Sequence, residues 1–362
     1  MIQLLFSLTP KAKKEDLFGR EKELSELTHL VEMYPIVVVT GLRRVGKSSL
    51  IRVFLKESEL PFVLVDGRKL YEMASGNISS LHFSQLLNSE LSRLSKSQKI
   101  LNFLTRIRGI SVGGSSLEID HKEFNLSDLL EKFDEIAQKE KKHFVLFLDE
   151  AQYLRYYGSR GGNDILALLA YCYDHLENVR ILITGSEVGM LHDFLKLDSY
   201  DSPLYGRGIG FLTLKPFSFD QSVEFLRKGF EEVKEKIDFD PNEVVKKIDG
   251  IAGYLVLFGV KYLEKKSKDK ALDEVFHTAK ALFEKELNEL KKRSPRYLSI
   301  LKYIAQGANS WSAVKNICYA NRDFVADSRL YSLLGTLEKM SLIEKTAKGY
   351  KIVDPVLEKL LT

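Results

Sequence analysis

Residues 36–50 read IVVVTGLRRVGKSSL. The first four are apolar, three of them valines, and predict a short buried strand. Residues 41–48 then spell G-x-x-x-x-G-K-S, and helical spacing follows. Strand, glycine loop and helix in that order make a phosphate-binding loop. Glycines let the backbone curl so that several N–H groups point inward, and the new helix adds the positive end of its dipole. In such a loop Lys47 reaches the β and γ phosphates and the Ser48 hydroxyl holds Mg²⁺. The bland alternative is a glycine turn with a solvated lysine, and it does not account for the flanking strand and helix.

A second stretch, residues 144–152, reads FVLFLDEAQ. Five apolar residues in a row predict a central strand of a parallel sheet, buried on both faces. The run ends in Asp149 and Glu150, where open α/β sheets bind their ligands. Two like charges at a buried edge cost energy unless they are used. Asp149 is placed near Mg²⁺, directly or through water, and Glu150 as the general base that polarises an attacking water. A third buried strand, VRILIT at 179–184, ends in Gly185, Ser186 and Glu187. If it lies beside the first strand, Ser186 or Thr184 could hydrogen-bond the γ-phosphate or the water. Equally, Ser186 or Glu187 could cap the next helix.

The chain has 362 residues, 44% apolar and 29% charged, which predicts an ordinary globular protein of two or three domains. The net charge of +4 permits nucleic-acid binding without arguing for it, because a basic stripe matters more than the total. Cys172 and Cys318 are far apart in apolar helical contexts and predict two buried thiols in a reducing compartment. The seven histidines show no metal-ligand spacing, so no structural zinc is expected. The opening MIQLLFSLTPKAKK lacks a leading charge and a small-residue cleavage site, and no run is long enough to span a bilayer. A cytoplasmic protein is expected.

Ahead of the first strand, LFGREKEL at 17–24 opens an amphipathic helix to about residue 32. The segment could be a plain N-terminal helix, or it could fold back over a base. After the loop, a helix to about residue 56 leads into a strand at 62–68, and a helical stretch covers 78–94. Residues 107–120, IRGISVGGSSLEID, predict a β-hairpin, either a contact element or decoration. Helical spacing returns at 126–139. Residues 199–210, SYDSPLYGRGIG, form a polar loop whose Arg207 is either a surface residue or an arginine finger, in cis or from a neighbour. A strand at 211–214 and a helix to about residue 234 follow, and 241–293 reads as all helical, punctuated by DGIAG. Its dense Lys and Glu mark a solvated face. Residues 294–362 read as three helices and a strand–turn–strand, the outline of a winged helix. Arg329, Tyr331, Ser332 and Lys339 face outward on its third helix, and Lys345, Lys348 and Lys351 lie on the hairpin. These could meet DNA phosphates or serve only solubility.

LFGREKEL, GLRRVGKSS, FVLFLDEAQ, ILITGSEVGM, SPLYGR, LKPFS and a closing VDP together resemble the archaeal ATPase family, in the STAND branch of the AAA+-like P-loop ATPases. The likeness spans nearly the whole chain. It implies an α/β P-loop NTPase three-layer sandwich with a mostly parallel central sheet, followed by a helical lid and a C-terminal winged helix. It implies the Asp149 strand next to the Lys47 strand, or one strand away. It places Gly19 and Arg20, with Phe18, near the adenine, and Ser186 as a polar sensor. Arg207 becomes a plausible phosphate or subunit contact. Where related ATPases have Gly-x-Pro in the lid, Gly253 is followed by Tyr254, an aromatic that could stack on adenine instead. Gly41, Leu42, Arg43, Arg44, Val45, Gly46, Lys47, Ser48 and Ser49 complete the nucleotide-binding set.

The expected layout is a core at 1–230 with a hairpin insert, a lid at 231–293 and a winged helix at 294–362. The expected function is Mg²⁺-dependent ATP binding and hydrolysis that drives or gates a movement of lid and winged helix. ATP is preferred to GTP because no N-K-x-D motif follows the core. The alternative is a nucleotide-gated DNA-binding or regulatory adaptor with little turnover, and a protein partner or self-association is compatible with either.

Overall fold

The computed structural model describes residues 4–94, 110–113, 116–119 and 125–362. Five parallel strands form the central sheet: β1 (Ile36–Gly41), β2 (Phe62–Asp66), β5 (Phe144–Asp149), β6 (Val179–Gly185) and β7 (Gly210–Leu214), in spatial order β2-β5-β6-β1-β7. Thus β6 lies between the Asp149 strand and the Lys47 strand, with Val38 opposite Ile183 and Phe147 opposite Leu182. All six residues of β1 are buried, as its apolar run requires.

Alternation along β1 divides the core. Ile36 and Val38 face a cluster with helices α4 (Ser80–Leu94), α5 (Leu126–Glu140), α6 (Asn163–His175) and α7 (Val188–Leu195). Val37 and Val39 face α1 (Glu21–Met33) and α2 (Lys47–Glu57). The helix leaving β1 and the helix following β5 therefore cover opposite faces. That arrangement opens a crevice at the carboxyl ends of the strands between them.

Several elements were not anticipated. Residues 67–73 turn straight into helix α3 (Gly67–Met73), capped by the Asp66 carboxylate accepting from the Lys69 N–H, where the sequence suggested strand as far as residue 68. Ala151–Tyr156 form a 3-10 turn, α6 follows Gly162, and α15 (Pro355–Leu361) closes the chain. The hairpin is present as β3 (Ile110–Gly113) antiparallel to β4 (Ser116–Ile119); its turn at 114–115 and its flanks lie outside the described residues.

Beyond the sheet come α8 (Phe219–Glu232), α9 (Pro241–Ile248), α10 (Ala252–Lys265) and α11 (Lys268–Arg293). The winged helix consists of α12 (Arg296–Ala305), α13 (Trp311–Ala320), α14 (Asp327–Lys339) and the hairpin β8 (Ile343–Thr346)–β9 (Gly349–Ile352). Leu330, Leu333, Leu334 and Leu337 form the buried face of α14, as their spacing predicts. These helices share one apolar core with α8–α11. Cys172 and Cys318 are buried and unbridged. Among the described residues no helix is long and apolar enough to cross a membrane.

Candidate functional site

A cleft of about 460 Å³ opens at the carboxyl ends of the strands. One end is polar, lined by Arg43 to Ser49, Arg68, Asp149 and Glu150. The other is apolar, lined by Leu17, Phe18, Phe217, Phe225 and Val256. A larger but more open hollow of about 780 Å³ lies between α1 and α8 and includes none of the Arg43–Ser49 loop. A cleft of this size, mostly apolar with a few convergent polar groups, fits a small ligand with one charged end.

The loop between β1 and α2 is shaped by close packing. Gly41 has φ +143°, and a Cβ there would come within 2.4 Å of the Leu214 carbonyl oxygen. Lys47 opens α2 with its side chain folded back over the loop, Nζ donating to the Gly41 carbonyl at 2.7 Å and the Leu42 carbonyl at 2.9 Å. Burial pushes its ammonium down to about 8; Glu150 and Asp149 oppose that shift, and Arg43 and Arg68 add to it. Arg20 is buried and lines the cleft, but its guanidinium braces the loop from behind. It donates to the Val45 carbonyl at 3.3 Å and the Lys215 carbonyl at 2.8 Å, pairs with Glu23 and lies over the Phe217 ring. Gly19 turns the chain between Phe18 and Arg20 with φ +61°.

The two carboxylates occupy different settings. Thr184 Oγ1 donates to Asp149 and accepts from the Glu150 N–H at 3.1 Å. Burial raises the Asp149 carboxyl, partly offset by the Thr184 hydrogen bond, with the Glu150 and Asp66 charges adding to the rise. Glu150 leaves the strand with φ +48°. Its Oε2 accepts from Gln152 Nε2 at 2.7 Å, Ser186 Oγ at 2.9 Å and the Ser186 N–H at 3.1 Å, while Arg68 approaches Oε1 at 3.7 Å. Burial alone would raise this carboxyl, but the Gln152 hydrogen bond, Lys47, Arg68 and Ser186 hold it below the usual carboxylate range. The adjacent acids are thus pushed in opposite directions. Such separation by environment is what acid–base work requires. Ser186 serves Glu150 rather than capping α7, and Glu187 pairs with Arg43 at 2.5 Å instead of capping it.

Three residues sit elsewhere than expected. Tyr254 is 1% exposed and does not line the cleft. Its hydroxyl accepts from Arg44 Nη1 at 2.8 Å and donates to Asp354 Oδ2 at 2.8 Å, so it cannot stack on a base. Ala252, Gly253, Val256 and Leu282 form that wall instead. Arg207 precedes β7, whose Gly210 pairs with Val37 at the start of β1, so it lies at the sheet edge opposite the glycine loop. There it pairs with Asp174 and donates to the Pro203 carbonyl, which excludes a role at the loop of its own chain. Lys339 pairs with Asp193 of α7 at 2.7 Å and faces the α/β core rather than an incoming duplex. Lys351 is paired with Glu344 at 2.7 Å, while Arg329, Lys345 and Lys348 are exposed.

Sequence reasoning missed the segment at residues 4–16, which straps the cleft. Phe6 inserts where Gly229 of α8 and Gly259 of α10 make room; a Cβ at either would lie 2.3 Å from its ring. The Lys11 N–H donates to Ser49 Oγ at 3.1 Å, and the buried Lys11 ammonium donates to the carbonyls of Leu4 and Leu5. Arg68 and Gln152 were also missed. Their positions past the ends of the adjacent strands β2 and β5 were the only available signal.

Residues 17–258 match the family described as an ATPase domain predominantly from Archaea, and residues 291–353 match the C-terminal winged helix-turn-helix domain of MCM proteins. The structure is similar to that of a Walker-type ATPase of Pyrococcus abyssi, with 43% identity, 99% of each chain covered and a TM-score of 0.90. The ORC2 protein of Aeropyrum pernix, solved as ADPNP–ADP complexes, shares the fold at 14% identity, 99% and 97% coverage and a TM-score of 0.62. An uncharacterized protein of Methanocaldococcus jannaschii is 31% identical over 159 residues, 42% of this chain and 33% of its own, so the match spans a third of that relative.

Proposed function

Since the chain belongs to the ATPase domain family found predominantly in Archaea, we propose that it hydrolyses ATP in this cleft, with Glu150 activating the water. The observation that carries the reading is the split setting of the carboxylates beside a lysine folded over a glycine loop. Lys47 leaves the Gly41 and Leu42 carbonyls and neutralises charge developing on the terminal phosphate. The loop N–H groups and the start of α2 hold the remaining phosphate oxygens. Glu150, kept ionised, accepts a proton from the attacking water, and Ser186 and Gln152 orient its carboxylate.

The residues present suit Mg²⁺. Ser48 is exposed beside the cleft, and Asp149 is a half-buried carboxylate that lines it, held by the Thr184 hydroxyl. No cluster of three or more acidic, His or Cys ligands occurs among the described residues. A metal bound through one carboxylate, one hydroxyl and the phosphates needs no such cage. Ser48 and Asp149 would hold it, and when bound it would supply positive charge that offsets the charge of the phosphates. A phosphate role for Arg207 is confined to the site of a neighbouring copy.

The test is equilibrium binding of ATP with Mg²⁺ to the full chain and to Lys47→Ala. Tight binding by the first and loss in the second supports the reading; equal binding refutes it.

A second reading, a nucleotide-gated adaptor, is favoured by the wiring of the winged helix. Arg44 in the loop reaches Asp354 at the start of α15 through Tyr254, and the Val188 N–H, two residues past Ser186, donates to Ser341 Oγ at 3.1 Å. A change at the phosphates can thus bias the winged helix. Titrating a labelled duplex with and without ATP at two salt concentrations tests it: ATP-linked, salt-sensitive binding supports DNA as the partner, and no binding in any condition removes it.

A further inference from the structure

Asp16 ends a 3-10 turn at Lys14–Asp16 and lines the cleft. It is 4% exposed, and its Oδ2 is buried with no hydrogen-bond partner. A buried carboxylate oxygen without a donor is costly, and native proteins seldom leave one so. Lys11 attracts it electrostatically, but that ammonium gives its hydrogen bonds to the Leu4 and Leu5 carbonyls.

The position of Asp16 says what would satisfy it. The phosphates must lie at the Lys47–Ser48 end of the cleft, which leaves the base for the apolar end. That end is built by Phe18, in edge contact with Phe217 at 5.7 Å and Phe225 at 5.4 Å, together with Leu17 and Val256. Asp16 stands two residues before Phe18 on the same wall. A flat base between apolar walls is oriented by the few polar groups at its edge. A carboxylate can only accept there. Adenine offers an N6 amino donor at the position where guanine offers the O6 acceptor.

We propose that Asp16 is the base-reading residue of this site: its carboxylate accepts from the adenine 6-amino group and repels the guanine 6-oxygen. This rests on the nucleotide reading given above and adds the choice of base.

The test is calorimetric titration of the full chain with ATP, GTP, purine riboside triphosphate, which lacks the 6-amino group, and 2′-deoxy-ATP. Wild type is expected to bind ATP about 10- to 100-fold more tightly than purine riboside triphosphate, the range for a charge-assisted hydrogen bond. Asp16→Ala should bring that ratio close to one. Asp16→Asn keeps the side chain's shape and adds an amide donor, so it should narrow the ATP-to-GTP ratio by improving GTP. Lys47→Ala should weaken all four ligands alike. An ATP-to-purine ratio unchanged in Asp16→Ala and an ATP-to-GTP ratio unchanged in Asp16→Asn would overturn the proposal while leaving nucleotide binding intact. A loss in Asp16→Ala that disappears when 2′-deoxy-ATP is the ligand would also overturn it, by assigning the carboxylate to the ribose. Failure of wild type to bind any of the four would refute the nucleotide reading itself.

Discussion

Lys47 carries a prediction that can be read as protons. In the free protein burial brings its ammonium down from 10.5 to about 8. That lowering corresponds to about 3 kcal/mol held against the charged form. Because the folded chain binds fewer protons than the unfolded one in this window, the cost is present in full below about pH 8 and is relieved as pH rises toward about 10.5. Phosphates arriving at Lys47 restore the charge. Nucleotide binding should therefore take up about 0.1 proton at pH 7, about 0.5 at pH 8 and about 0.9 at pH 9. A terminal phosphate that titrates near pH 6 is already ionised at about pH 8 and adds little. The assay is calorimetry in pairs of buffers with different ionisation enthalpies, whose heats differ in proportion to the protons exchanged. A Lys47→Arg chain, where it binds, should show no uptake, because a guanidinium stays charged throughout. ATP binding at about pH 9 with no net proton uptake by wild type would refute the reasoning, since Lys47 would then be charged before the phosphates arrive.

Two other substitutions probe the surroundings of the cleft. Tyr254→Phe removes the hydroxyl between Arg44 and Asp354, leaving a half-buried carboxylate short of a donor, and should cost about 1–3 kcal/mol in urea unfolding; an unchanged midpoint would contradict the packing described. Phe6→Ala empties the groove between Gly229 and Gly259, so the strap should come loose at a cost of at most about 3–5 kcal/mol, with faster amide exchange at residues 4–11; exchange rates equal to wild type would show that Phe6 is not what holds it.

Much of the core was legible because it obeys local rules. A β-branched run, a glycine loop and a helix are contiguous at 36–50, and an apolar run ending in two acids is contiguous at 144–150. What the sequence left open depended on pairings between distant segments. The place of β6 between β5 and β1 is set by register, which no local pattern reports. Tyr254 stands beside a lid glycine, as expected, but its hydroxyl is claimed by Asp354, a hundred residues away. Lys339 is on the outward side of its own helix, yet α7 of the α/β core covers that side and supplies Asp193. Arg207 follows a promising loop motif but comes before its strand, and in a parallel sheet that is the end away from the ligand. The strap at residues 4–16 was missed for a related reason. Its anchors, Phe6 and Lys11, find their partners more than thirty residues further on, and the short apolar run around Phe6 is too brief to carry a period.

Arg68 and Gln152 illustrate the same limit at the site, and Ser186, which the sequence did single out, shows it in its partner, Glu150. Each lies just beyond the end of β2, β5 or β6, and adjacent parallel strands bring those ends to one carboxylate. The chemistry of Glu150 is set by a layer of residues that are far apart in the chain. Its lowered carboxyl follows from these neighbours, with Lys47, acting against burial, whereas the Asp149 carboxyl is raised by burial, with the Glu150 and Asp66 charges adding to the rise.

The most direct test of the account is a single-turnover experiment with γ-labelled ATP, Mg²⁺ and excess protein, comparing wild type with Glu150→Gln. Both proteins should bind the nucleotide. Wild type should release labelled phosphate, and the variant should hold intact ATP with a rate lower by about 10²- to 10⁴-fold, the usual contribution of a positioned general base. Phosphate release by Glu150→Gln at the wild-type rate would contradict the central claim.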